Sequence, residues 1–186
     1  MTTTEIDRLR PEGDRHWGLL AGGVTMLLGI AAALLPLVDW PAARIVGWLL
    51  FLAGLAELGF AATRRGRLRT TAIVSGLLTS AAGLIFVLRP FAPYFPVANL
   101  VTMWLLVRGA WVLGRANQEA SSRATFWLGA TGGMDLLLGV LLVSGLPIAM
   151  LVVTLFGPTA PIIASFSYVL AASLIVTGLA EIAISR

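Results

Sequence analysis

The chain has 186 residues and no cysteine. Disulfides, thiolate metal sites and cysteine nucleophiles are therefore excluded together. Lysine is missing as well, since all 13 basic residues are arginines. That removes Schiff-base chemistry and the phosphate-binding lysine of a Walker loop. The single histidine, His16, adjoins Trp17 at a water interface, and no further ligands stand at metal-binding spacing, so no metal or cofactor is expected. No Ser-His-Asp constellation, glycine-rich phosphate loop or aqueous carboxylate pair is present, so the chain is expected not to be an enzyme. Charge is scarce: 12% of the residues carry it, against roughly a quarter in a soluble domain.

What is there is apolar. Hydrophobic residues make up 58% of the chain, and the mean hydropathy is +0.92. A water-soluble domain of this size cannot bury so much apolar surface, which leaves lipid as the fitting solvent. An isoelectric point near 11.0 would suggest nucleic acid in a soluble protein. Here the arginines punctuate apolar runs and gather on no polar face, so no nucleic-acid partner is expected.

A helix needs roughly 20 apolar residues to cross about 30 Å of hydrocarbon. Stretches of that kind are Trp17–Leu35, Ile45–Ala62, Thr71–Leu88, Val97–Gly114, Phe126–Leu146 and Ile162–Ile184. They are continuous and do not alternate, so they read as helices and not as barrel strands. The first is too long, and its flank too acidic, for a cleaved signal peptide, and it belongs to the repeat described below. Arg8, Arg10, Arg15, Arg64, Arg65, Arg67, Arg69, Arg115, Arg123 and Arg186 fall on one side of such a chain; Arg44 and Arg89 fall on the other. The positive-inside rule then places both termini in the cytoplasm and requires an even number of spans. Trp17, Trp40 and Trp127 at helix ends suit an interfacial belt.

The first helices of successive pairs repeat. Gly22, Gly29 and Pro36 return as Gly76, Gly83 and Pro90 at the same spacing, and as Gly132 and Gly139 with Pro147 one residue late. Second helices share Gly54-Leu55-Ala56-Glu57 and Gly178-Leu179-Ala180-Glu181. Glycine serves close approach between helices, because lipid supplies no hydrophobic drive for their association. Gly18–Gly22 and Gly129–Gly133 add small residues four apart. The expected fold is all-α: a polytopic membrane protein of six transmembrane helices in three tandem two-helix repeats (about 17–62, 71–114 and 126–184), behind a polar tail over 1–16. Each unit starts and ends on one side, so the repeats are parallel and not inverted.

These glycine-proline first helices, with the third-copy run Gly132-Gly133-Met134-Asp135-Leu136-Leu137-Leu138-Gly139, resemble the HdeD family of short-repeat bacterial membrane proteins. The resemblance covers Trp17 to Ser185. It implies a six-helix protein of the bacterial inner membrane associated with acid resistance, and it supplies no catalytic residues. The third copy departs from the pattern by an insertion over 148–160, too short to span. Two forms fit it, a re-entrant half-helix or an extension of the fifth helix followed by a turn.

Glu57, Arg108, Asp135 and Glu181 lie inside apolar spans, where charge costs at least about 2.5–3.5 kcal/mol and seeks partners. Glu57 and Glu181 occupy equivalent repeat positions, matched in the middle copy by Val112, with Arg108 one turn deeper on the same face. Thr25, Thr79 and Asp135 form a second equivalent set, roughly 12 Å from the cytoplasmic helix ends at about 1.5 Å per residue. One shared polar patch is geometrically open to all six residues. Three acids facing one arginine compose a proton-responsive element, and on that reading a small proton-linked channel or transporter is an alternative function. The plainer reading has Arg108 pairing with Asp135 or Glu57 to fix helix register, while Glu181 snorkels to the interface. The cluster Arg64, Arg65, Arg67 and Arg69 sets topology and could also hold anionic lipid headgroups. A third functional reading makes the protein a helper subunit, packing through its glycine faces on another membrane protein or on a second copy of itself.

Overall fold

In hydrocarbon every backbone N–H and C=O must find its partner within the chain, and a continuous apolar run meets that demand by coiling into a helix. The computed structural model describes residues 12–35, 42–88, 97–119, 121–156 and 160–186. Among these the regular structure is entirely helical: α1 (Glu12–Leu34), α2 (Ala42–Ala62), α3 (Gly66–Leu88), α4 (Val97–Ala116), α5 (Ser122–Phe156) and α6 (Ala160–Ser185). Five of them, α1, α2, α3, α5 and α6, contain a stretch long and apolar enough to cross a membrane. The remaining helix, α4, was also expected as a span; it carries Arg108 and Arg115, which lower its apolarity.

Several boundaries differ from expectation, the starts of α1 and α3 among them. α1 begins at Glu12, so part of the expected polar tail is helical, and α3 begins at Gly66, five residues ahead of Thr71. Gly66 has φ +62, a left-handed conformation that glycine adopts without steric cost and that lets a short connection turn α2 into α3. Residues 148–156 continue α5 as helix through Pro147 to Phe156, as an extension of the fifth helix requires. At about 1.5 Å per residue α5 is about 52 Å long, well beyond about 30 Å of hydrocarbon. Residues 157–159, Pro36, Trp40, Arg89, Pro90 and the tail arginines Arg8 and Arg10 lie outside the described residues.

The helices close into a ring, with α6 returning to α1. The tightest pairs are α2 with α3, α4 with α5, and α1 with α6. Glycine explains which pairs these are. A Cβ placed on Gly22 would come 2.8 Å from the Gly178 carbonyl oxygen; on Gly76, 2.9 Å from that of Gly54; on Gly132, 2.9 Å from that of Gly109. Gly29 meets the Ala171 carbonyl oxygen at 3.1 Å and Gly83 that of Gly47 at 2.7 Å, while Gly139 faces Leu106 and Leu105. The recurring glycines of α1, α3 and α5 are therefore all used between helices of this chain. Each faces the helix that precedes its own around the ring.

Outside and inside are inverted relative to a soluble protein. Leu27 is 63% exposed and Leu88 65%, whereas Arg108 is 1% and Asp135 0% exposed. Exposed leucines of that number suit lipid and not water. The interior divides along its length. Arg64 at the α2–α3 turn reaches Ile184 of α6, and Arg67 reaches the Gln118 carbonyl after α4, so the arginine-bearing connections share one end. Thr71, Ser75, Thr79, Glu57, Arg108, Asp135, Thr177 and Glu181 are buried towards that end. Leu35, Leu49, Leu50, Phe86, Val101, Leu105 and Leu170 fill the opposite half.

Over-packing a backbone contact should cost about 1–3 kcal/mol. Gly76→Leu, which drives side-chain atoms into the Gly54 backbone, is expected to lose that much in denaturant unfolding in lipid nanodiscs. Gly23→Ala, where a Cβ meets nothing within 4 Å, should be neutral or gain up to about 1 kcal/mol from helix propensity. Equal losses at both sites would contradict this packing.

Candidate functional site

An arginine in a low-dielectric interior keeps its charge and must be matched by anions and acceptors. Arg108, on the inner face of α4, meets this demand by drawing on neighbouring helices. Its Nη1 donates to Asp135 Oδ2 of α5. Its Nη2 donates to Glu57 Oε1 of α2 at 2.8 Å and to Thr177 Oγ1 of α6 at 3.0 Å. The guanidinium carbon lies 5.7 Å from the centroid of the Trp104 ring. Arg108 Nε has no hydrogen-bond partner among the described residues.

The carboxylates are held from behind. Ser75 Oγ donates to Glu57 Oε2 at 2.6 Å, and Ser173 Oγ to Asp135 Oδ1 at 2.6 Å. Thr79 Oγ1 lies 3.4 Å from Glu57 Oε1 and accepts a bond from Trp104 Nε1 at 3.3 Å. Thr177 itself donates to the Ser173 carbonyl at 2.8 Å, which turns its lone pairs toward Arg108. Each described carboxylate oxygen of Glu57 and Asp135 thus accepts at least one bond, and the two acids share one cation. This ties α2, α4, α5 and α6, with α3 attached through Ser75 and Thr79.

No family model, curated protein or solved structure matches the chain.

The expected patch is therefore assembled in two adjoining parts. Glu57, Arg108, Asp135 and Thr79 meet directly, and Arg108 pairs with both acids, not with one of them. Glu181 and Thr25 make the second part: Thr25 Oγ1 lies 3.2 Å from Glu181 Oε2. Glu181 does not snorkel; it is buried, and Glu57, Arg108 and Arg64 lie within electrostatic reach of it. His16 and Trp17 are exposed and take no part.

Sequence reading missed Ser75, Ser173, Thr177 and Ser185. Their signal was present as spacing: Thr71, Ser75 and Thr79 on α3, and Ser173, Thr177, Glu181 and Ser185 on α6, fall four residues apart in otherwise apolar helices. Such a row occupies one helix face. The arginine cluster also divides. Arg64 is buried, donates to Ser185 Oγ and to the Ile184 carbonyl at 3.4 Å, and lies 4.4 Å over the Phe60 ring. A cation at these last carbonyls complements the negative end of the α6 dipole. Arg65, Arg67 and Arg69 stay exposed. Among the described residues no group of His, Cys, Asp and Glu is placed to hold a metal ion.

Removing one member of a buried ion pair leaves an uncompensated charge and costs about 3–5 kcal/mol. Arg108→Met should lose that much stability, and adding Glu57→Gln and Asp135→Asn in the same chain should recover part of it. Arg65→Met and Arg69→Met should stay within about 0.5 kcal/mol of the parent. Denaturant unfolding in nanodiscs reads all four proteins, and an Arg108→Met chain as stable as the parent would refute the junction.

Proposed function

We propose that this chain is a non-enzymatic, six-span protein of the bacterial inner membrane, of the HdeD type, whose Arg108 junction makes the bundle responsive to acid and so contributes to acid or envelope stress resistance. The observation that carries the reading is a wholly buried guanidinium shared by carboxylates from two other helices. While both carboxylates are ionised, the junction is charge-assisted throughout. Protonating one acid still leaves Arg108 paired with the other; protonating both leaves its charge buried without an anion. The stability that the junction supplies is therefore present when the acids are ionised and is lost as falling pH protonates them.

The same reading takes α4 as the sixth span, since it is packed between α3 and α5 and its charge is matched inside the ring. Three tandem two-helix units are supported by the equivalent contacts Gly22 on Gly178, Gly76 on Gly54 and Gly132 on Gly109. The glycines of the second helices each stand three residues before the equivalent positions Glu181, Glu57 and Val112. Both termini are assigned to the cytoplasm because the arginine-bearing connections gather at one end. There Arg65, Arg67 and Arg69 are the exposed contacts for anionic headgroups, worth about 1 kcal/mol each.

A proton-linked channel or transporter using the same patch needs a polar way through the half filled by Leu35, Leu50, Phe86, Val101 and Leu105. That apolar packing favours an acid-responsive element over a conduit. A helper-subunit role through the repeated glycines is disfavoured too, because Gly22, Gly29, Gly76, Gly83, Gly132 and Gly139 already face helices of this chain.

The test is melting in nanodiscs from neutral pH down to about pH 2, because ion-paired carboxylates give up their stabilisation below about pH 5. The parent midpoint is expected to fall by roughly 6–12 °C, from about 3 kcal/mol at about 2–4 °C per kcal/mol. Glu57→Gln/Asp135→Asn should show a flat profile, and a host strain lacking the protein should regain acid survival with the parent chain and not with Arg108→Met. A parent profile as flat as that of the double variant would sink the reading.

A further inference from the structure

We propose that Glu181 is a second proton-binding site, distinct from the Arg108 junction, which holds either the acid or its anion in one unchanged arrangement of heavy atoms. The inference extends the acid-responsive reading to a group that the junction does not bind. It starts from counting hydrogens. A threonine hydroxyl has one hydrogen to give and lone pairs to receive. Thr25 Oγ1 lies 3.1 Å from the Ala21 carbonyl oxygen and 3.2 Å from Glu181 Oε2. Both are acceptors when Glu181 is ionised, so the single hydrogen can serve only one of them. With Glu181 ionised, Thr25 donates to Oε2. With Glu181 protonated, the carboxyl donates to Thr25 Oγ1, and Thr25 turns its own hydrogen back onto Ala21, a bond that helical threonines commonly make.

The exchange balances simply. A hydronium ion gives up a proton, an O–H bond forms at Glu181 Oε2, and water remains; the Thr25 hydroxyl rotates, and no heavy atom has to move. Glu57 and Asp135 are held differently, each by a serine hydroxyl on one oxygen and by Arg108 on the other. Protonating either of them removes negative charge that Arg108 is paired with. Glu181 is thus a buried acid whose hydroxyl partner has a second acceptor at hand and accommodates both forms.

The surroundings are charged on several sides. Glu57 on α2, Arg108 on α4 and Arg64 at the α2–α3 turn lie within electrostatic reach of Glu181. On α5 the nearest acid is Asp135, bonded to Ser173 two turns further in. α1 contributes the Thr25 hydroxyl. Arg108 is committed to Glu57 and Asp135, and Arg64 donates to Ser185 and Ile184. Access comes from the arginine-bearing end. Ser185, whose Oγ donates to the Glu181 carbonyl at 2.7 Å, lies about 6 Å nearer that end, one helical turn away. In the other direction the interior turns apolar at Leu174 and Leu170.

Infrared difference spectra of the full chain in nanodiscs, acid minus neutral, read the protonated carboxyl directly through its C=O stretch. The parent is expected to gain such a band, Glu181→Gln to lose it, and Thr25→Val, which deletes the hydroxyl at nearly constant volume, to keep it at higher frequency. A band unchanged in Glu181→Gln, or unmoved in Thr25→Val, overturns the site. Should Glu181→Gln fail to fold, the Thr25→Val shift decides alone. Loss of the Glu181 band with an acid-insensitive melting profile would keep this site and remove the Arg108 reading. An unchanged band with acid-sensitive melting would do the opposite.

Discussion

A guanidinium cannot shed its charge and cannot be left alone in hydrocarbon, and the interior of this bundle is organised around that constraint. Arg108 is answered by Asp135 from α5, Glu57 from α2 and Thr177 from α6. Serines on α3 and α6 then satisfy the oxygens that Arg108 does not reach. Each helix joined in this way must keep its rotation and depth, because a shift of one residue would turn an acid from the interior toward lipid. Buried ion pairs are weak evidence for stability, since desolvation offsets much of their attraction. Their stronger consequence here is register.

Close packing makes the junction reachable. Arg108 is surrounded by other helices only because the ring is narrow, and it is narrow because Gly22, Gly76 and Gly132 let backbones meet at Gly178, Gly54 and Gly109. Gly109 adjoins Arg108, and Asp135 follows Gly132 by three residues, so the α4–α5 glycine contact sets the cation beside its carboxylate. Glu57 and Glu181 likewise stand three residues after Gly54 and Gly178. Small residues and ionisable ones are thus coupled by position: the first bring two helices together, and the second meet where they touch. The apolar fill of the other half, with Leu50, Phe86 and Leu105, closes the interior behind the charged layer.

Much of this was legible in the sequence. Apolar runs of spanning length identify their helices, with the far end of α5 running on from Leu146 to Phe156, and the intramembrane charges mark the site because their cost demands a partner. The Gly-x6-Gly spacing shows that helices approach closely, and the facing helix is what it leaves open: Gly22 could turn toward α2 as easily as toward α6. That choice depends on how the ring closes, which no local pattern encodes. Glu181 illustrates a second limit. Its closeness to the C-terminus suggests an interfacial acid, yet α1 packs over it and Thr25 reaches it, so burial follows from a contact 156 residues away in sequence. The hydroxyl partners Ser75, Ser173 and Thr177 escaped because single serines and threonines are ordinary in membrane helices. Only their four-residue rhythm sets them apart.

The account stands or falls on whether α2 and α4 are coupled through Glu57 and Arg108. A double-mutant cycle with Glu57→Gln and Arg108→Met, read by unfolding in nanodiscs at neutral pH, measures that coupling with the single-variant losses subtracted. Contact at 2.8 Å between buried side chains predicts that the double variant loses less than the sum of the singles, by about 1–3 kcal/mol. Additivity within about 0.5 kcal/mol would mean that the two side chains act independently, and the charged junction would then not be what holds the bundle in register.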